Sequence, residues 1–204
     1  MRALRGLYRG LEALNGADSG VDPVAFLVPF TGNGPREELV VVRESEDGVE
    51  IALVLAEHAL ERLERRPHAS VLGDAALADT LPVVEGLSHL LYLVEAVRRE
   101  RPVSGLELET QAEVDKLALC LLARWPAARD DFPRLVDRLL CQWSPLPGQS
   151  ESLRERYATA NRVALRFIRG LERCVCAGQL GGLRRRLRRF WSADMPGKLA
   201  LAGA

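Results

Sequence analysis

Residues 82–124 read PVVEGLSHLLYLVEAVRRERPVSGLELETQAEVDKLALCLLAR, and the way this stretch folds decides what the rest of the chain packs against. Val83, Leu87, Leu90, Leu91, Val94 and Val97 recur every three or four residues, which predicts a helix with a broad apolar face. After a break at Arg101-Pro102-Val103-Ser104 the pattern resumes with Leu106, Thr110, Val114, Leu117 and Leu121. Ser104 followed by Glu107 fits a capping box, in which side chain and backbone satisfy each other at a helix start. A short connection between two amphipathic helices predicts antiparallel neighbours and a framework for the later helices.

Downstream, Phe132, Leu135, Val136, Leu139, Leu140 and Trp143 keep helical spacing, and 144–150 (SPLPGQS) reads as a loop. Ser152 with Glu155 predicts a second capping box, opening a helix with Tyr157, Ala160, Ala164, Phe167, Ile168 and Leu171 inward. Gly178, Gly181 and Gly182 end it, and 183–191 reads as a basic amphipathic helix before a small terminal element.

Upstream, 2–15 is a predicted helix stopped by Asn15-Gly16. The segments 25–30, 38–44 and 49–55 are rich in Val, Leu and Ile, and Asp47-Gly48 signals a hairpin. Thr31-Gly32-Asn33-Gly34-Pro35 connects the first two, and Pro29 suits an edge strand, where a missing N–H does no harm. Residues 57–65 predict a short helix and 68–80 a loop from which Pro82 starts the framework. The expected fold is α+β and predominantly α: a helical bundle of four to five helices with a small three-stranded antiparallel β-meander. It is expected as one domain over 1–204, with 16–56 supplying the meander and 57–204 the bundle.

Composition narrows the function classes. The chain has 204 residues, 48% apolar and 27% charged, with 28 basic and 28 acidic side chains. These are the proportions of an ordinary globular protein, and a net charge of zero gives no overall attraction to nucleic acid or anionic lipid. No uninterrupted apolar run reaches the length of a membrane span, so no transmembrane segment is expected. Cys120, Cys141, Cys174 and Cys176 make no recognisable disulfide or zinc spacing, which predicts a cytoplasmic protein with idle thiols. No dinucleotide, P-loop, zincin, nucleophile-elbow or EF-hand signature occurs, so the reading leans away from an enzyme, and neither cofactor nor metal is expected.

Three groups of polar residues remain. Glu85 and His89, with Tyr92, lie at helical spacing on the first framework helix, and Glu109 and Glu113 on the second. Were the two sides to face each other they would form a metal or small-ligand site, although carboxylate-bridged bundle sites use Glu and His three positions apart. The helical wheel instead turns Glu85, Ser88, His89, Tyr92, Glu95 and Arg99 toward solvent, with Lys116, Arg154 or Arg156 as the cation nearest Glu113. In the second group, Arg184, Arg185, Arg186, Arg188 and Arg189 surround Leu183, Leu187, Phe190 and Trp191. The five arginines together with Trp191 make a basic surface that suits an acidic protein partner, phosphates or an anionic membrane, unless the arginines pair with the chain's own Glu107-to-Asp115 face. In the third, Tyr157 and Asn161 sit four apart beside Arg154, Arg156 and Arg162, as a structural polar network would. The function expected is a non-catalytic interaction or scaffold module that docks a protein partner or self-associates. The alternatives are the ligand site at Glu85, His89, Glu109 and Glu113, and nucleic-acid binding through 183–191.

Overall fold

The computed structural model describes residues 1–30, 38–45, 48–67, 70–142 and 148–203. The chain forms two compact units, Met1–Ala13 with Ala17–Pro102, and Leu14–Gly16 with Val103–Ala204. The boundary at Pro102 and Val103 falls inside the stretch 82–124, so its two helices belong to different units.

The helix α1 (Arg2–Asn15), whose residues up to Ala13 belong to the first unit, buries Leu4, Leu7, Tyr8 and Leu11 on one stripe. Tyr8 donates its hydroxyl to Ser19 Oγ at 3.0 Å, and Ser19 donates in turn to Glu12 at 2.6 Å. Burial pushes the Tyr8 phenol up to about 12, against the opposing pull of the Ser19 bond. The strands are β1 (Leu27–Pro29), β2 (Glu38–Ser45) and β3 (Gly48–Leu55). Their order is β1-β3-β2, with β2 antiparallel to β3 and β1 parallel to it. The expected antiparallel meander is therefore corrected. The hairpin between the second and third segments forms, but the first adds to the far edge of β3 with Leu27 opposite Leu53.

The physical reason is that β3 carries the most continuous apolar run, burying Leu53 and Leu55, and a central position lets it pair on both sides. The three-residue β1, ending at Pro29, takes an edge where a missing donor is tolerated. The ladder closes with Ser45 opposite Gly48, and residues 46 and 47 come between them in sequence. These two, the 31–35 connection and His68 lie outside the described residues.

The helix α2 (Glu57–Arg65) packs on α3 (Leu77–Arg98), and α3 packs on β2 and β3. The latter starts at Leu77, inside the expected loop, and Pro82 sits within it rather than at its start. Proline forfeits one helical hydrogen bond. The turn before it is held by burial of Leu77, on the order of 2 kcal/mol for a leucine side chain, and by Thr80 donating to the Val71 carbonyl at 2.8 Å. The expected solvent side is also corrected. Ser88, His89 and Tyr92 are buried together with Leu87, Leu90 and Leu91, so the middle of α3 is enclosed all round, whereas Val97 is 45% exposed. An evenly apolar helix has no face to turn outward. By length and composition alone Asp74–Arg98 is apolar enough to cross a membrane, which the count of uninterrupted apolar residues missed. Of the most apolar 18-residue window within it 61% is buried, as in a core helix.

In the second unit, α4 (Gly105–Ala123) starts at Ser104, whose hydroxyl accepts from the Glu107 N–H at 3.2 Å as the capping box predicts. It packs on α5 (Phe132–Val136) and on α6 (Glu151–Arg169). The single helix expected over 130–143 changes after Val136 into a π-turn, Asp137–Cys141. This wider turn shifts the side-chain phase that the even 3.6-residue pattern assumed. Trp143 lies outside the described residues, as do 144–147 of the following loop. The cap of α6 is Ser150, accepting from Leu153 N–H at 3.3 Å, rather than Ser152. Tyr157, Ala160, Ala164, Phe167 and Ile168 are buried as expected. Gly170 ends α6 early, a five-residue α7 (Glu172–Cys176) follows, and Gly181 and Gly182 fall inside α8 (Leu180–Ser192). The terminal α9 (Met195–Leu201) is capped by Asp194 and packs on α6 and α8. The fold is thus predominantly helical α+β.

Candidate functional site

Leu183, Leu187, Phe190 and Trp191 of α8 recur at helical spacing, and all four are buried. Phe190 stacks on Phe167 with ring centroids 4.0 Å apart. Trp191 was expected on the basic surface, and at 3% exposure it belongs to the core instead. The five arginines are exposed. Two of them are used internally: Arg186 donates to the Gly170 carbonyl at 2.7 Å and Arg188 to the Leu14 carbonyl at 3.3 Å. The latter contact brings the Arg188 guanidinium to 3.0 Å from where a Cβ on Gly16 would stand, and Gly16 has φ +69, a left-handed conformation that glycine adopts without strain.

Arg184, Arg185 and Arg189 form no ion pair or side-chain hydrogen bond among the described residues. Arg184 and Arg188 are four positions apart, as are Arg185 and Arg189, and like charges at that spacing cost a helix a few tenths of a kcal/mol each. No acidic residue occurs between Glu172 and Asp194 to relieve this. The acidic face that might have done so is occupied otherwise, because Glu107, Glu109, Glu113 and Asp115 of α4 are all buried. The arginine face therefore lowers the intrinsic stability of α8 and is held in place by the apolar stripe beneath it.

Beneath its end lies a network of residues that the motifs did not single out. Lys198 of α9 is fully buried. Its ammonium donates to Gln111 Oε1 at 2.8 Å and to the Phe190 carbonyl at 2.6 Å, and stands 4.5 Å from the Phe190 ring centroid. The Gln111 amide donates onward to Asp115 Oδ1 at 2.9 Å, and Asn15 Nδ2 reaches the same oxygen at 3.2 Å. The orientation of Gln111 is thus set by a cation on one side and a carboxylate on the other. A positive charge at the last carbonyls of α8 also opposes the negative end of its dipole. One signal was available: only two of the 28 basic residues are lysines, Lys116 and Lys198, and both have small exposure.

The residues proposed as a ligand site divide between the units. Glu85, His89 and Tyr92 lie on α3, with Glu85 half-buried, and the Tyr92 hydroxyl accepts from Arg101 at 3.0 Å while the guanidinium lies over its ring. Glu109 and Glu113 lie on α4, where Glu113 pairs with Lys116 at 2.9 Å, the first of the cations expected for it. Asn161 is buried, and its Nδ2 has no hydrogen-bond partner among the described residues. No group of three or more His, Cys, Asp or Glu among the described residues is arranged to hold a metal ion. Compared with protein-family models, curated proteins and solved structures, the chain matches none.

Proposed function

We propose that this protein is a non-catalytic interaction module whose arginine helix α8 docks an acidic protein segment. The observation that carries this reading is the set of exposed guanidinium groups of Arg184, Arg185 and Arg189, which the described chain does not pair. An arginine row on a helix presents forked donors that match carboxylates on a partner helix or strand. Burial of Leu183, Leu187, Phe190 and Trp191 fixes the helix beneath that row, so the arginine side chains, and not the backbone, remain to be ordered on docking. The four free thiols support a reducing, cytoplasmic setting.

The test is a titration of the whole protein with an acidic helical peptide at low salt, set beside single-stranded RNA, duplex DNA and anionic vesicles. Binding to the peptide is expected to weaken as salt rises. It is expected to fall at least about 30-fold, roughly 2 kcal/mol, in the triple variant Arg184→Glu, Arg185→Glu, Arg189→Glu. Because these side chains are exposed, the variant should keep its circular dichroism and melting behaviour. An unchanged affinity in the variant defeats the reading. Binding to nucleic acid or vesicles without binding to the peptide replaces it with a phosphate-directed surface.

A further inference from the structure

A cleft of about 310 Å³ opens in the second unit between α5, the π-turn and the corner joining α6 to α7. Its size lies at the lower end of small-molecule sites, with room for a metabolite of modest size. Phe132 and Val136, both buried, form an apolar wall with Pro133. Asp137, Arg169 and Glu172 stand around it. The backbone widens here, since the Gln142 N–H reaches back to the Asp137 carbonyl across a π-turn, a local irregularity that often accompanies function.

The charges at the mouth are separated. Arg169 is the last residue of α6 and Glu172 the first of α7, with Gly170 and Leu171 between them. Neither forms an ion pair or a side-chain hydrogen bond among the described residues, although both line one small cleft. Asp137 has one carboxylate oxygen engaged by Gln142 at 2.9 Å. The corner that sets the spacing is held from outside, because Arg186 donates to the Gly170 carbonyl.

We propose that this cleft binds a small zwitterion with an apolar side chain, an α-amino acid of the leucine or methionine kind. Arg169 takes the carboxylate as a forked donor, Glu172 with Asp137 takes the ammonium, and the Phe132, Pro133 and Val136 wall takes the side chain. The site shares no residue with the Arg184, Arg185 and Arg189 face of α8 and stands or falls without it.

The full chain is titrated with L-leucine by calorimetry, and alkylation of each cysteine is followed by mass spectrometry, since the exposed Cys141 thiol also lines the cleft. Leucine is expected to bind saturably near or below about 1 mM and to slow alkylation of Cys141 while leaving the exposed Cys176 unaffected. Leucine methyl ester and 4-methylpentanoate each lack one charge and should bind about 10-fold more weakly. Arg169→Gln and Glu172→Gln should each cost leucine a similar factor without changing the melting temperature. Absence of saturable binding by leucine, methionine or phenylalanine at about 10 mM overturns the proposal. So does leucine binding that survives both substitutions, or an ester that binds as well as the free amino acid.

Discussion

Lys198→Met is expected to destabilise the Val103–Ala204 unit by about 2–5 kcal/mol, the cost of leaving buried acceptors without their donor. The substitution keeps most of the stem and removes the ammonium, so Gln111 Oε1 and the Phe190 carbonyl each lose a bond of 2.8 Å or less. With Gln111 released on one side, its hold on Asp115 from the other weakens as well. Urea unfolding followed by circular dichroism measures the loss. The informative comparison is with Asp115→Asn. If cation and carboxylate act through Gln111 as one unit, the double variant should fall short of the sum of the single losses by about 1–3 kcal/mol. A loss below about 1 kcal/mol for Lys198→Met, or strict additivity, would show that the buried network contributes nothing as a network.

Glu64→Ala is expected to cost the first unit about 2–3 kcal/mol, at the upper end for a helix cap. The first N–H groups of any helix lack intrahelical acceptors. In α1 three of them, on Arg2, Ala3 and Leu4, donate to the one carboxylate of Glu64 on α2, at 2.7, 3.2 and 3.0 Å. Partial burial works to raise the pKa of this carboxyl, but the three backbone donors outweigh it and hold the group below its ordinary value. A carboxyl with a depressed folded pKa contributes its stability fully above the unfolded value, near pH 4.3 to 4.5, and loses it as pH falls through the lower folded value. Wild-type protein should therefore lose stability as the solution is acidified below about pH 5, and Glu64→Ala should lose less over the same interval. Urea midpoints at pH 7 and pH 4 would decide; equal acid sensitivity in the two proteins would remove Glu64 from this role. In the exposed Arg5–Asp22 pair of the same unit, the hydrogen bond from Arg5 holds the Asp22 carboxyl below its ordinary value.

Helices announced themselves where one face is apolar and the other is not. The bounds of α1 and α2, the inward residues of α6 and the buried stripe of α8 follow from periodicity, because each of these helices meets solvent on one side. For α3 the same method located the helix but misjudged what surrounds it. A histidine at 7% exposure and a tyrosine at 3% look on a helical wheel like any solvated residue, since the wheel knows only neighbours on the same helix. The sheet failed for a related reason. Residue pattern gives strands and a hairpin signal, yet the choice between the near and far edge of β3 depends on which edge the folded backbone brings β1 to.

By itself the sequence determined a mostly helical α+β chain, an arginine row over the Leu183, Leu187, Phe190 and Trp191 stripe, and the cap at Ser104, because these are interactions among residues close along the chain. The tertiary structure alone decided that Lys198 meets Gln111, that Asn15 meets Asp115, and that Phe132, Arg169 and Glu172 border one cleft. Each of these meetings joins elements dozens of positions apart in the chain. They are fixed by the packing of whole helices, to which no local spacing or composition corresponds.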